Sequence, residues 1–98
     1  MKTNTENIQK ISRYFENKPV LKAYIFGSFA RNEVNDESDI DILVDLDYSH
    51  KIGLLFVQMK LDLENLLHKQ VDLVSSNGLS PFIKSQIEKE KKLIYERE

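Results

Sequence analysis

The segment Asp39-Ile40-Asp41-Ile42 constrains this chain more than any other, because it sets two carboxylates at the head of an alternating apolar run. Successive side chains of a strand point to opposite faces. From residue 39 onward, Asp39, Asp41, Leu43 and Asp45 therefore share one face, and Ile40, Ile42, Val44 and Leu46 share the other. Carboxylates at every second position stand about 6 to 7 Å apart along a strand, a gap that their side chains close around a hard cation. Without a cation the pair repels itself. Magnesium takes oxygen ligands and usually keeps substrate phosphates in its shell, so Asp39 and Asp41 read as half of a nucleotide site.

The other half comes just before it. Val20–Phe26 is rich in β-branched and aromatic residues, which predicts a strand, and it runs directly into Gly27-Ser28. A glycine at a strand end lets a ligand approach the backbone. Ser28-Phe29-Ala30-Arg31 can then open a short helix whose unpaired N–H groups face an anion. Ser28 adds a hydroxyl and Arg31 a positive charge. If the two strands are antiparallel neighbours, the end of the first lies beside the start of the second, and phosphate cradle and metal ligands meet. An Asp-x-Asp alone is short and common, and reads equally well as the wet edge of an amphipathic strand. Its weight here comes from Gly27-Ser28 before it and from an acidic residue on the strand that follows.

That residue is Asp72. Leu55, Met59, Leu63, Leu66 and Leu67 predict a helix over about residues 52–68, with Asp62, Glu64 and Asn65 turned to water. Such a helix serves as a crossover to a parallel third strand over residues 70–75, beside the second. Asp72 interrupts that strand near its start, and a parallel register brings it level with Asp39 and Asp41. An Asp at a strand start can also cap a neighbouring backbone group.

The remaining elements frame this centre. Thr3 with Glu6 reads as a capping box, and Ile8, Ile11 and Phe15 follow at helical spacing, predicting a first helix over about residues 4–17. Lys18 precedes Pro19, and a residue before proline avoids helical angles, which stops the helix. Asn77-Gly78 signals a turn. Ser80-Pro81 opens another helix, with Ser80 as cap, Pro81 at its first position and Phe82, Ile83 and Ile87 as its apolar side. Lys92 to Tyr95 reads as a short terminal edge strand. Asp45, Asp47, Asp36 and Glu33 read as solvated acids, and His50 and His68 as solvated histidines without partners at metal-site spacing.

The chain has 98 residues, which predicts a single domain over 1–98 with one sheet and a few covering helices. A formal charge of -2, with the Lys84 to Lys92 run interrupted by Glu88 and Glu90, argues against nucleic-acid binding by this chain alone. The absence of cysteine excludes disulfides and thiolate metal sites. No apolar run reaches membrane-spanning length and the N-terminus lacks a signal-peptide pattern, so the expected location is cytoplasmic.

Gly27-Ser28, the Ala30-Arg31 pair and Ser38-Asp39-Ile40-Asp41 together resemble the signature of the DNA polymerase β nucleotidyltransferase superfamily. The short chain resembles its minimal nucleotidyltransferase branch, the MntA-like antitoxins that accompany HEPN-domain toxins. The motif covers residues 27–41, and the order of elements fits over most of the chain. Asn32 is a departure, standing where these proteins commonly carry Gly, and Asn tolerates left-handed backbone angles better than most residues.

The resemblance implies an α+β fold, a small mixed sheet with helices packed on it like the polymerase β palm. It implies transfer of a nucleoside monophosphate, AMP, from a nucleoside triphosphate to a hydroxyl, with release of pyrophosphate. Asp39 and Asp41 would bridge two magnesium ions, with Asp72 completing the shell of one and activating the acceptor hydroxyl. Gly27 and Ser28 would seat the β and γ phosphates, with Arg31 beside them. A HEPN toxin is the implied partner and acceptor. Two rivals stand beside this reading: a nucleotidyltransferase acting on RNA or a small-molecule hydroxyl, and a non-catalytic antitoxin that covers its partner. The missing basic patch and second domain count against the first, and the full carboxylate set counts against the second.

Overall fold

The computed structural model describes residues 2–27 and 39–97. A first helix, α1 (Lys2–Phe15), leads through a tight turn at Pro19 into β1 (Val20–Phe26). Next come β2 (Ile40–Leu46), α2 (Leu55–Leu67), β3 (Val71–Ser75), a single 3-10 turn (Ser76–Gly78), α3 (Pro81–Glu90) and β4 (Lys92–Glu96). The strands form one mixed sheet in the order β3-β2-β1-β4. β1 pairs antiparallel with β2 and with β4, whereas β2 and β3 are parallel, as the α2 crossover requires.

Alternation along the strands decides the layers. Ile40, Ile42 and Val44 are fully buried and join Val20, Ala23, Ile25, Val71 and Leu73 in a core that also holds Ile11 and Phe15 of α1 and Met59, Leu63 and Leu67 of α2. Two helices thus seal one face of the sheet. The opposite face carries Asp41, Leu43 and Asp45, and α3 leans on it. Leu43 and Ile87 are buried there outside the main core, beside a hollow of about 210 Å³ that Lys84, Glu88 and Lys91 also line.

Three expectations shift. α1 begins and ends two residues before the predicted 4–17, so Thr3 lies within its bounds. On α3, Ser80 caps as expected, its hydroxyl accepting from the Ile83 N–H at 3.4 Å, but of the three apolar residues only Ile87 is buried; Phe82 stands 75% exposed. Asp62 and Glu64 are half-buried anchors, not solvated residues. Asp62 accepts the Tyr14 hydroxyl at 2.5 Å, tying α2 to α1, and burial first, then this bond, holds Tyr14 neutral well above the usual tyrosine range. Among the described residues no helix is long and apolar enough to cross a membrane.

Candidate active site

β2 is the central strand of the site, with a different partner on each side. Toward β1, Asp41 stands opposite Phe26, the last residue before Gly27. Toward β3, Asp41 stands level with Asp72. Adjacent strands lie about 4.8 Å apart, so paired residues project side by side from one face. The sheet therefore brings Gly27, Asp41 and Asp72 to one end of three consecutive strands. Asp39 sits just before β2, two residues from Asp41, and the Ile40 N–H donates to the Gln70 carbonyl at 3.0 Å, which holds this entry against β3.

Gly27 meets Asp41 closely. Its φ of +70° lies in the left-handed region that glycine enters without steric penalty. A methyl group at its α-carbon would collide with Oδ2 of Asp41 and stand 3.3 Å from that residue's Cγ. Glycine is thus needed twice, for the backbone angle and for the carboxylate lying against it. The Gly27 N–H is already engaged, donating to Oε1 of Glu90 at 3.1 Å.

Asp39 and Asp72, both exposed, line an open hollow of about 450 Å³ with Lys60, Glu64, Gln70 and Val71. Glu64 anchors this side. Its Oε2 accepts the Val71 N–H at 3.0 Å and Lys60 Nζ at 3.0 Å, fixing the start of β3 one residue before Asp72. These two bonds, the backbone one first, hold its carboxyl below the usual range. Sequence reasoning passed over both Glu64 and Glu90, since a bond from a side chain to a distant backbone amide leaves no periodic pattern. One signal was available for Glu64: the short connection after α2 forces the last helical turn over the strand start.

The three carboxylates reach one end of the sheet in register without closing into a cluster. Among the described residues, no group of three or more His, Cys, Asp or Glu side chains is placed to hold a metal ion. What the sheet supplies is strand position, with Asp41 and Asp72 level on neighbouring strands and Asp39 two residues before Asp41. The donor set is nevertheless all oxygen, on adjacent positions of two strands, and this fits a hard divalent cation better than a soft one. Ser28 and Arg31 lie outside the described residues.

The Polymerase beta, Nucleotidyltransferase family matches residues 9–98. A candidate protein adenylyltransferase of Methanocaldococcus jannaschii is 40% identical over 93 residues, covering 92% of this chain and 91% of that one. Among solved structures, a candidate minimal nucleotidyltransferase superposes with a TM-score of 0.80 at 31% identity, covering 93% of this chain and 92% of that one. The fold is also that of an MNT antitoxin in complex with a tri-AMPylated HEPN toxin of Shewanella oneidensis, with a TM-score of 0.67 at 24% identity, covering 98% of this chain and 72% of that one.

Proposed function

The chain belongs to the polymerase β nucleotidyltransferase family, and from that premise we propose that it transfers AMP from ATP to a hydroxyl of a HEPN-domain toxin, releasing pyrophosphate and acting as its antitoxin. The observation that carries this reading is the register that sets Asp41 between Gly27 and Asp72 at one end of the sheet.

Asp39, Asp41 and Asp72 are the residues that would hold magnesium, which when bound neutralises triphosphate charge and lowers the pKa of the acceptor hydroxyl. The chain's own part is positioning and charge. Gly27 makes room for the Asp41 carboxylate beside the proposed phosphate site, with Ser28 and Arg31 as further phosphate-binding groups. Asp72, at the mouth of the 450 Å³ hollow, takes the proton from the acceptor hydroxyl. The acceptor oxygen forms its bond to the α phosphorus as the bridging bond to the β phosphate breaks, and pyrophosphate leaves with the electron pair.

Two features support a protein acceptor. The adenylyltransferase relative carries that reaction in its name, and the related MNT antitoxin is seen with an AMPylated toxin. The helices also expose apolar residues: Val57 and Leu61 stand on the outer side of α2 with Leu54 just before it, and Phe82 and Ile83 stand out from α3. Exposed apolar residues on the helices fit a protein partner better than RNA or a small hydroxyl compound.

The test is incubation with magnesium, the HEPN protein and ATP labelled at the α or the γ phosphate, beside an Asp41→Asn control. Label from the α position alone, on the toxin band and absent from the control, is the expected result. Toxin neutralised with no label transferred would establish the non-catalytic reading instead, and label on RNA would move the acceptor.

A further inference from the structure

Glu90 is the last residue of α3, and its side chain reaches Gly27, directly after the end of β1. β1 and β4 pair with Tyr24 opposite Leu93 and Ile25 opposite Lys92. Continuing that register places Gly27 opposite Glu90. There the chain is helical, and its backbone is committed to helical bonds such as the Lys91 N–H to the Ile87 carbonyl at 2.8 Å. The Glu90 carboxylate supplies the acceptor that a strand would have offered, adding one rung beyond the last backbone pair. A backbone donor left unmet at this position would carry a desolvation penalty.

The two flanks of Gly27 are thus held by different carboxylates. Asp41 of β2 lies against its α-carbon, and Glu90 accepts its amide on the β4 side.

We propose that Glu90 is a positioning residue of the nucleotide site: its bond to the Gly27 amide keeps the end of β1 in the left-handed conformation that accommodates Asp41, so that α3 and β4 set the geometry in which the triphosphate is received. This rests on the nucleotidyltransferase reading above. The role needs an acceptor atom and no charge, which separates Gln from Ala at this position.

The test compares wild type with Glu90→Gln and Glu90→Ala in two measurements. Amide hydrogen exchange at Gly27 in nucleotide-free protein reports the bond without any need for activity. Calorimetric titration with ATP and magnesium reports the site. Glu90→Gln keeps both within about twofold, whereas Glu90→Ala speeds exchange at Gly27 and weakens ATP binding by about tenfold, the size expected for one lost hydrogen bond. Unchanged or tighter ATP binding by Glu90→Ala overturns the proposal, and so does a Gln variant as weak as the Ala variant, which would make charge the active property. Wild type that binds no ATP overturns the nucleotide reading itself, and is told apart because Gly27 exchange still reports the bond.

Discussion

The two faces of the sheet share the same strands and have opposite characters. The face under α1 and α2 is sealed, with Ile40, Ile42 and Val44 at zero exposure. The other face, one residue out of phase, carries Asp41, Asp45 and Asp72 and meets α3 through Leu43 and Ile87. Neighbouring residues of β2 therefore meet different surroundings, Ile40 and Ile42 the sealed core and Asp41 between them the opposite face, where we propose that the chemistry takes place. A closed core on one side lets the other hold carboxylates whose mutual repulsion does not unfold the chain.

The strongest way to break this division is to substitute neighbours on β2. Ile42→Ala opens a cavity in a fully buried position and should cost about 2 to 4 kcal/mol. Asp41→Asn should leave stability equal or higher, by easing repulsion, while lowering AMP transfer by at least ~100-fold. Urea unfolding and the α-label assay on the same preparations measure both. If Asp41→Asn unfolds the chain as readily as Ile42→Ala does, the two faces are not separate in function.

Gly27→Ala tests the seam between the faces. The substitution forces a side chain into a left-handed angle and into the Asp41 carboxylate, so stability should fall by about 1 to 3 kcal/mol and transfer should fall with it. Combining it with Asp41→Gly, which removes the obstructing carboxylate, should recover part of the stability and none of the activity. Stability that stays low in the double variant would assign the whole cost to the backbone angle.

How much of this was legible in the sequence follows from which interactions are periodic. The alternation from Asp39 to Leu46 assigned both faces of β2, and the span of β1 was readable residue for residue from its β-branched and aromatic content. The crossover rule predicted a parallel β3, which the register of Asp41 with Asp72 matches. What stayed hidden were bonds between a side chain and a distant backbone. Glu64 and Glu90 look like ordinary wet residues of charged helices, yet each accepts the amide at one end of a site strand. Phe82 and Ile83 misled in the other direction, because helical spacing shows that a stripe is apolar and not that anything covers it.

The smallest expected effect lies at the far end of β2, where another carboxylate is fully engaged by this chain's own groups. Asp47 accepts the Ser49 hydroxyl at 2.6 Å and amide at 3.1 Å, and Nη1 of Arg97 at 2.7 Å, while Nη2 of Arg97 also reaches the Lys18 carbonyl at 3.2 Å. The Ser49 hydroxyl first, and then Arg97, hold the Asp47 carboxyl well below the usual aspartate range. Because the folded pKa is the depressed one, the stability it contributes is fully present above the unfolded value of about 4 and is lost as pH falls toward the folded value. Ser49→Ala and Arg97→Ala should therefore each flatten the acid limb of a stability curve recorded below about pH 4, Ser49→Ala the more, with little change in shape near neutral pH. Curves that keep the wild-type slope in both variants would mean that these bonds do not persist in solution. A slope that flattens, in chains that still transfer AMP at the wild-type rate, would show that the bonds to Asp47 serve the fold and not the proposed reaction.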